Sequence, residues 1–463
     1  MSKKMRIETD LLGELKVPAN VYWGINTQRA LMNFQISGKR FPEIFLLSLA
    51  KVKKACLLAN KKLKTIDDDK AQVIEKVIDE IVNERKLLDQ FPLDVYQSGS
   101  GTQINMNMNE VIANRSNDLL GYPLGKKSPI HPNDHINRSQ SSNDVIPTTM
   151  HLAAIDLLHT KLLPILQFLK KHLTSKIKQF NDIVKIGRTH LQDAVPISLA
   201  TEFEVYKEQI KIAEKRLNDT ISELLVIPIG GTVLGTGLNT PKNFDKETVS
   251  ELTKITGYGF KINPVKAEGI SSHNTIVNTS AVLRSLALSL LKMANDIRWM
   301  GSGPRAGLGE LKLPQNEPGS SIMPGKINPT QSEALIQVCL QVIGYDTSIA
   351  YAEGYSSILD LNVAKPIMIV NLLESIEILS NGISSFVNNC LINIEANKEN
   401  IQSNLDRTLM LVTKLTPILG YDATGKIAKL AFEKNKSIKE IILEEGYDIK
   451  GNIDEILDPH SMV

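Results

Sequence analysis

Apolar residues recur at helical spacing across the middle of the chain, from about residue 147 to 392. The clearest stripe is Phe203, Tyr206, Ile210, Ala213, Leu217, Thr220 and Leu224, alternately three and four apart with only Thr220 polar. That spacing predicts one long bundle helix, with Pro196 suited to its first turn. A second stripe, Ile369, Leu372, Ile376, Leu379, Ile383 and Phe386, begins just after Pro366. Residues 276–300 are apolar on almost every side, which predicts burial against several neighbours at once and a core completed by other subunits. Strand-like alternation is scarce.

The first 140 residues mix short helical patterns with loops, and the tail is broken at Gly420-Tyr421, Gly425 and Gly446-Tyr447. The expected fold is mainly α in three domains. These are a mixed N-terminal region at 1–140, a central long-helix bundle at 141–397 and a small helical domain at 398–463. Hydrophobic residues make up 42% of the 463 and charged residues 22%, the balance of a folded soluble chain rather than a disordered one. Lys and Arg, 53 together, nearly cancel 51 Asp and Glu, so a basic face for nucleic acid or membrane is excluded and any anion must be met by a local site.

Three widely spaced cysteines, Cys56, Cys339 and Cys390, argue against a disulfide framework or a structural zinc site and fit a reducing cytoplasm. Residues 1–20 lack the apolar core of a signal peptide and the Arg/Ser-rich, acid-poor character of a transit peptide. With no uninterrupted run of 18 apolar residues, no membrane span is expected.

Four segments break the helical pattern with glycines and small polar side chains. They are Ser98–Asn105, His131-Pro-Asn-Asp134 through Ser139-Gln-Ser-Ser-Asn-Asp144, Gly187-Arg-Thr-His-Leu-Gln-Asp193, and Gly319-Ser-Ser-Ile-Met-Pro-Gly-Lys-Ile-Asn-Pro329. The last is not a P-loop: five residues separate Gly319 from Gly325, and Ile327 follows Lys326. What remains is a mobile-type loop with hydroxyls at Ser320 and Ser321, an ammonium at Lys326 and an amide at Asn328. The plainer alternative is a connector in which Asn328-Pro329 caps the next helix.

Glu333 likewise has two readings. Thr330-x-x-Glu333 fits a capping box, and the same carboxylate could orient a histidine acting as acid or base, for which His190 in its polar turn is the candidate. Ser98–Asn105 and Gly230-Gly-Thr-Val-Leu-Gly-Thr-Gly237 lack the G-x-G-x-x-G pattern and βαβ context of a dinucleotide site, although loop-to-helix junctions suit carboxylates. His131 and His135 flank Asp134 without a metal-binding spacing, so neither metal nor cofactor is expected.

Together these segments resemble the fumarase/aspartase superfamily, most closely its iron-independent fumarate hydratase branch. Gly319–Pro329 matches the superfamily hallmark, and the similarity runs from Asp10-Leu-Leu-Gly13 to Ser461-Met-Val463. The branch rests on Ser98-Gly-Ser-Gly-Thr-Gln103, Asn105-Met-Asn-Met-Asn-Glu110, Ser139–Asp144 and Asn316-Glu-Pro-Gly-Ser-Ser321. The resemblance implies a homotetramer with a pooled helical core and active sites lined by three subunits. It implies reversible anti addition of water to fumarate, giving L-malate in the tricarboxylic acid cycle, without metal or organic cofactor; aspartate ammonia-lyase is the alternative.

By the same match Ser320 is the base, with Ser321 open as the alternative. Lys326 and Asn328 would hold the carboxylate that becomes the aci-anion, and His190, oriented by Glu333, would handle the water. Thr102, Ser141, Ser142, Asn143 and Thr189 would fix the carboxylates, with Ser100 and Asn105 close by. His131, Asn133 and Asp134 resemble a second dicarboxylate site, but Ser128 stands where an Arg is frequent, with Lys126 and Lys127 the nearest cations. Ala200-Thr201 replaces a Gly-Gln pair common in the family.

Overall fold

The computed structural model describes residues 4–463, and they are mainly helical, with short two-stranded β elements. They form two compact units. One comprises the chain through Leu163 together with Lys215–Ser285 and Gln341–Leu379, and the other comprises Pro164–Glu214, Leu286–Leu340 and Ser380–Val463.

Four long helices, Leu199–Leu224, Asn274–Met300, Thr330–Ser356 and Lys365–Asn389, contribute residues to both units. The predicted stripe from Phe203 to Leu224 is buried throughout, Thr220 included, and so is the stripe from Ile369 to Phe386. Pro196 is not in the first turn of the helix: it lies in the strand Gln192–Ser198, and the helix starts at Leu199. The fixed φ of proline suits either position, and here the pairing of Pro196 with Ile186 decides.

Residues 276–300 were expected to be buried on every side. Within the chain Leu283, Leu286, Leu290 and Met293 are buried, but Leu288 and Trp299 stay half exposed. Val205, Ile212, Leu340 and Tyr351 on the neighbouring long helices are exposed as well. By length and mean hydropathy Ser142–Phe180, Asn274–Met300 and Lys365–Asn393 would each suffice to cross a bilayer, unlike the count of uninterrupted apolar residues. Much of that apolar surface forms the core instead, Leu283, Leu286, Leu372 and Ile376 among it.

In the first unit, the helix Glu43–Lys62 packs against Asp68–Val82, Ser142–Leu157 and Phe244–Thr256 through Phe45, Leu49, Val52 and Cys56. Lys61 and Lys62 end it favourably for the helix dipole. In the second unit, Val184–Thr189 and Gln192–Ser198 form an antiparallel hairpin against Lys398–Arg407. A separate small core of Val412, Leu415, Ile427, Ala431, Ile438, Ile441, Ile442 and Leu457 lies near the C-terminus.

Candidate active site

Two of the polar segments meet in the first unit. A chain of hydroxyls runs from Ser98 to Ser100 (3.2 Å), to Thr102 (2.8 Å) and on to Ser142 (3.2 Å), joining segments 40 residues apart. Thr102 opens the helix Thr102–Leu119 behind Gly101, whose φ of +77° is a left-handed conformation natural to glycine. Gly99 must be glycine: a Cβ there would lie 1.4 Å from the Val363 carbonyl oxygen. Asn105, buried one turn further on, donates to Asn137.

Ser141 is the N-cap of Ser142–Leu157: its hydroxyl accepts from the Asn143 N–H and its own N–H donates to Asp144. Asp144 is fully buried, and its other oxygen accepts from the Gly230 and Thr232 N–H groups at 3.0 and 2.9 Å. Burial pushes its carboxyl up to about 6, against these hydrogen bonds. Asn143 donates to the Val233 carbonyl. The glycine-rich segment 230–237, which showed no dinucleotide pattern, thus braces the loop that carries Ser141, Ser142 and Asn143.

In the second unit Thr189 pairs with Gln192, leaving His190 and Leu191 as a two-residue hairpin loop. Both have positive φ, 56° and 60°. Tight hairpins demand this, but Asn and Gly adopt it far more readily than His or Leu. The side chains of Thr189 and His190 stand exposed at the tip. The root is a buried ionic knot. Arg188 donates to Glu310 at 2.7 Å, and Lys185 lies 3.0 Å from Glu202 and 3.2 Å from Glu310, which is 0% exposed. Nothing in the sequence around Glu310 signalled this role; only its place opposite the hairpin reveals it.

The loop 319–328 is closed at its base. Gly319 N–H donates to the Lys326 carbonyl at 2.8 Å, and Asn328 Nδ2 donates to the Gly319 carbonyl at 2.7 Å. A Cβ on Gly319 would meet the Lys326 oxygen at 2.2 Å, so the closure requires glycine. Asn328 therefore fastens the loop rather than capping the next helix. The oxygen of Ser320 accepts the backbone N–H groups of Ile322 and Met323, at 3.2 and 3.0 Å. Ser321 and Lys326 are exposed beside it, as are Ile322 and Met323.

Thr330 begins the helix Thr330–Ser356 and donates its hydroxyl to Glu317, so it does not serve as the cap of a Thr330–Glu333 box. Glu333 is half-buried, and among the described residues no hydrogen bond joins it to His190.

His131 accepts the N–H groups of Asn133 and Asp134 on Nδ1, both at 3.2 Å, while its own N–H donates to His135 Nδ1. Burial lowers the His135 pKa below its ordinary value. Asn133 and Asp134 are exposed, and Lys127 beside Ser128 donates to the Thr9 carbonyl. Among the described residues no group of three or more His, Cys, Asp or Glu could hold a metal ion, and the three cysteines are free and buried.

Residues 13–344 match a family profile described as Lyase, and residues 411–463 one described as Fumarase C C-terminus. The mitochondrial fumarate hydratase of Rhizopus oryzae is 47% identical over 463 residues, covering 100% of this chain and 93% of that protein. The class II fumarate hydratase of Bacillus subtilis is 45% identical over 458 residues, covering 99% and 98%. Among solved structures, the class II fumarase of Schistosoma mansoni superposes with a TM-score of 0.96 at 37% identity, over 99% of both chains.

Proposed function

The chain belongs to the lyase family that includes the class II fumarate hydratases, and from that membership we infer that it catalyses the reversible addition of water to fumarate, giving L-malate. The reaction is a step of the tricarboxylic acid cycle. Removing a proton next to a carboxylate creates a dianionic aci-carboxylate, so the site must supply a base and place positive charge and donors where that charge grows.

The observation that carries our assignment of roles is the Ser320 oxygen with its two backbone donors. A serine hydroxyl is a weak base, and N–H groups aimed at its oxygen favour the alkoxide over the alcohol. In the dehydration direction Ser320 takes the C3 proton of L-malate. Lys326 and the second N–H of the Asn328 amide hold the carboxylate that becomes the aci-anion. His190, oriented by Glu333, then protonates the departing C2 hydroxyl, and water leaves from the face opposite the base. Thr102, Ser141, Ser142, Asn143 and Thr189 bind the two carboxylates, with Ser100 and Asn105 behind them. Every step uses side chains and backbone alone. His131, Asn133 and Asp134 are proposed as a second, non-catalytic dicarboxylate site.

We further propose a homotetramer whose active sites draw on several subunits. The exposed apolar residues Val205, Ile212, Leu288, Trp299, Leu340 and Tyr351 on the long helices support it, since an apolar face of this kind needs partners. So does the exposed hairpin tip, whose His190 has Glu333 as a partner only if another subunit supplies it. Free, buried cysteines fit a cytoplasmic enzyme.

Complementation tests the shared site. Ser320→Ala and His190→Asn are each expected to be nearly inactive on L-malate, but a mixture whose subunits have been exchanged should regain activity, because hybrid assemblies contain some sites with both residues intact. Confirmed exchange without recovery would place Ser320 and His190 of each site in one subunit.

A further inference from the structure

Lys53 lies in the middle of the helix Glu43–Lys62 and is 1% exposed. Its ammonium donates to Asn137 Oδ1 and Gln140 Oε1, both at 2.9 Å. The same Asn137 oxygen accepts from Asn105 and Asn109, each at 3.2 Å, so it gathers three donors from two helices. Asn137 Nδ2 in turn donates to the Gln140 carbonyl, and Gln140 Nε2 to the carbonyls of Ile136 and Arg138. Two turns further along the Lys53 helix, buried Asn60 donates to the Arg138 carbonyl and accepts from the Ser139 hydroxyl. One face of one helix thereby fixes the backbone from 136 to 140, immediately before Ser141, Ser142 and Asn143.

This arrangement is costly. Among the described residues no carboxylate is hydrogen-bonded to Lys53, and Asp144 acts on it only through space. Burial pushes its pKa down to about 7. A buried ammonium without a bonded counter-ion is unfavourable, whereas a methionine of similar length would fill the space without that cost. What the ammonium does that methionine could not is satisfy two side-chain carbonyls that together set the shape of the loop.

We propose that Lys53 is a positioning residue of the dicarboxylate site: its buried ammonium holds the segment 137–140 so that Ser141, Ser142 and Asn143 present their donors to a substrate carboxylate. This rests on the dicarboxylate reading above. Lys53 itself touches no reacting atom; it acts through Asn137 and Gln140.

The test compares full-length Lys53→Met with Leu49→Ala, which removes a buried apolar side chain from the same helix. The readouts are Tm, KM and kcat with L-malate, and calorimetric binding of succinate, a dicarboxylate that cannot react. In Lys53→Met, KM and the succinate Kd should rise roughly tenfold while kcat falls by less than about threefold, because carboxylate binding is weakened nearly equally in ground and transition states. Leu49→Ala should lower Tm and leave KM and Kd unchanged. If Lys53→Met does not fold, Asn137→Ala removes the shared acceptor and should give the same pattern. The proposal is overturned if KM and Kd move no more than in Leu49→Ala. Succinate binding by wild type without L-malate turnover would sink the hydratase reading alone, and the succinate comparison would still decide the role of Lys53.

Discussion

Ser320 Oγ lies 3.0 Å from the Met323 backbone nitrogen and accepts its N–H, with Ile322 as a second donor at 3.2 Å. The turn that makes these bonds is held by the Gly319–Lys326 and Asn328–Gly319 closures, so two backbone donors already face the oxygen. Replacing Ser320 by alanine should lower kcat by about 10²–10⁴-fold, the usual worth of a positioned base. The side chain sits on a loop with exposed neighbours, so thermal melting should hardly change. Near-normal turnover would transfer the role to Ser321.

The turn at His190 allows a clean substitution. Because its φ is 56°, asparagine is the replacement that best keeps the hairpin. His190→Asn should melt like wild type and lose about 10²–10⁴-fold in kcat if the ring does acid–base work. An unchanged rate would reduce His190 to a turn residue.

Glu310 ties the hairpin root to Arg188 and Lys185 with no exposure of its own. Neutralising one partner of a buried ionic cluster strands the others, at a cost of about 3–5 kcal/mol. Because Arg188 keeps some contact with solvent, Glu310→Gln should fall near the lower end of that range in a urea titration. A fall in kcat should accompany it, since His190 rides on the same hairpin. Unaltered stability would show that the cluster is not what fastens the hairpin.

Buried histidines and buried carboxyls act on the acid sensitivity of the fold in opposite directions. Burial lowers His151 from its ordinary 6.5 to about 4 and takes His273 well below 6.5. The unfolded chain then binds their protons first, so the stability they contribute is present above pH 6.5 and is lost as pH falls toward 4. Asp144, raised from 3.8 to about 6, works the other way and favours the fold as pH falls through the same range. His151 therefore contributes a fall in melting temperature between pH 6.5 and 4. His151→Gln should flatten that drop, and an equally steep drop would remove His151 as a cause.

The helical stripes were legible because burial enforces their period, as the continuous burial from Phe203 to Leu224 shows. The loop at Ser320 is set apart by its glycines and hydroxyls, yet these fit a plain connector as well, and only the match to the superfamily hallmark points to a base there. Less visible were features set by distant contacts. Pro196 reads equally well in a strand or a first turn, and only its pairing with Ile186 separates them. Asn328 looked like a cap and instead bonds back to Gly319. The roles of Glu310, Gly230 and Lys53 carry no local signal, since each supports a segment far away in the chain. The half-exposed Leu288 and Trp299 mark where the apolar run 276–300 is not fully buried within one chain.

The hydratase activity is tested most directly by the ultraviolet absorbance of the conjugated fumarate chromophore when purified protein meets L-malate, and separately L-aspartate, with ammonia measured alongside. Absorbance should rise with L-malate and stay flat with L-aspartate. A rise with L-aspartate alone, accompanied by ammonia, would contradict the hydratase activity and assign the same serine loop to an ammonia-lyase.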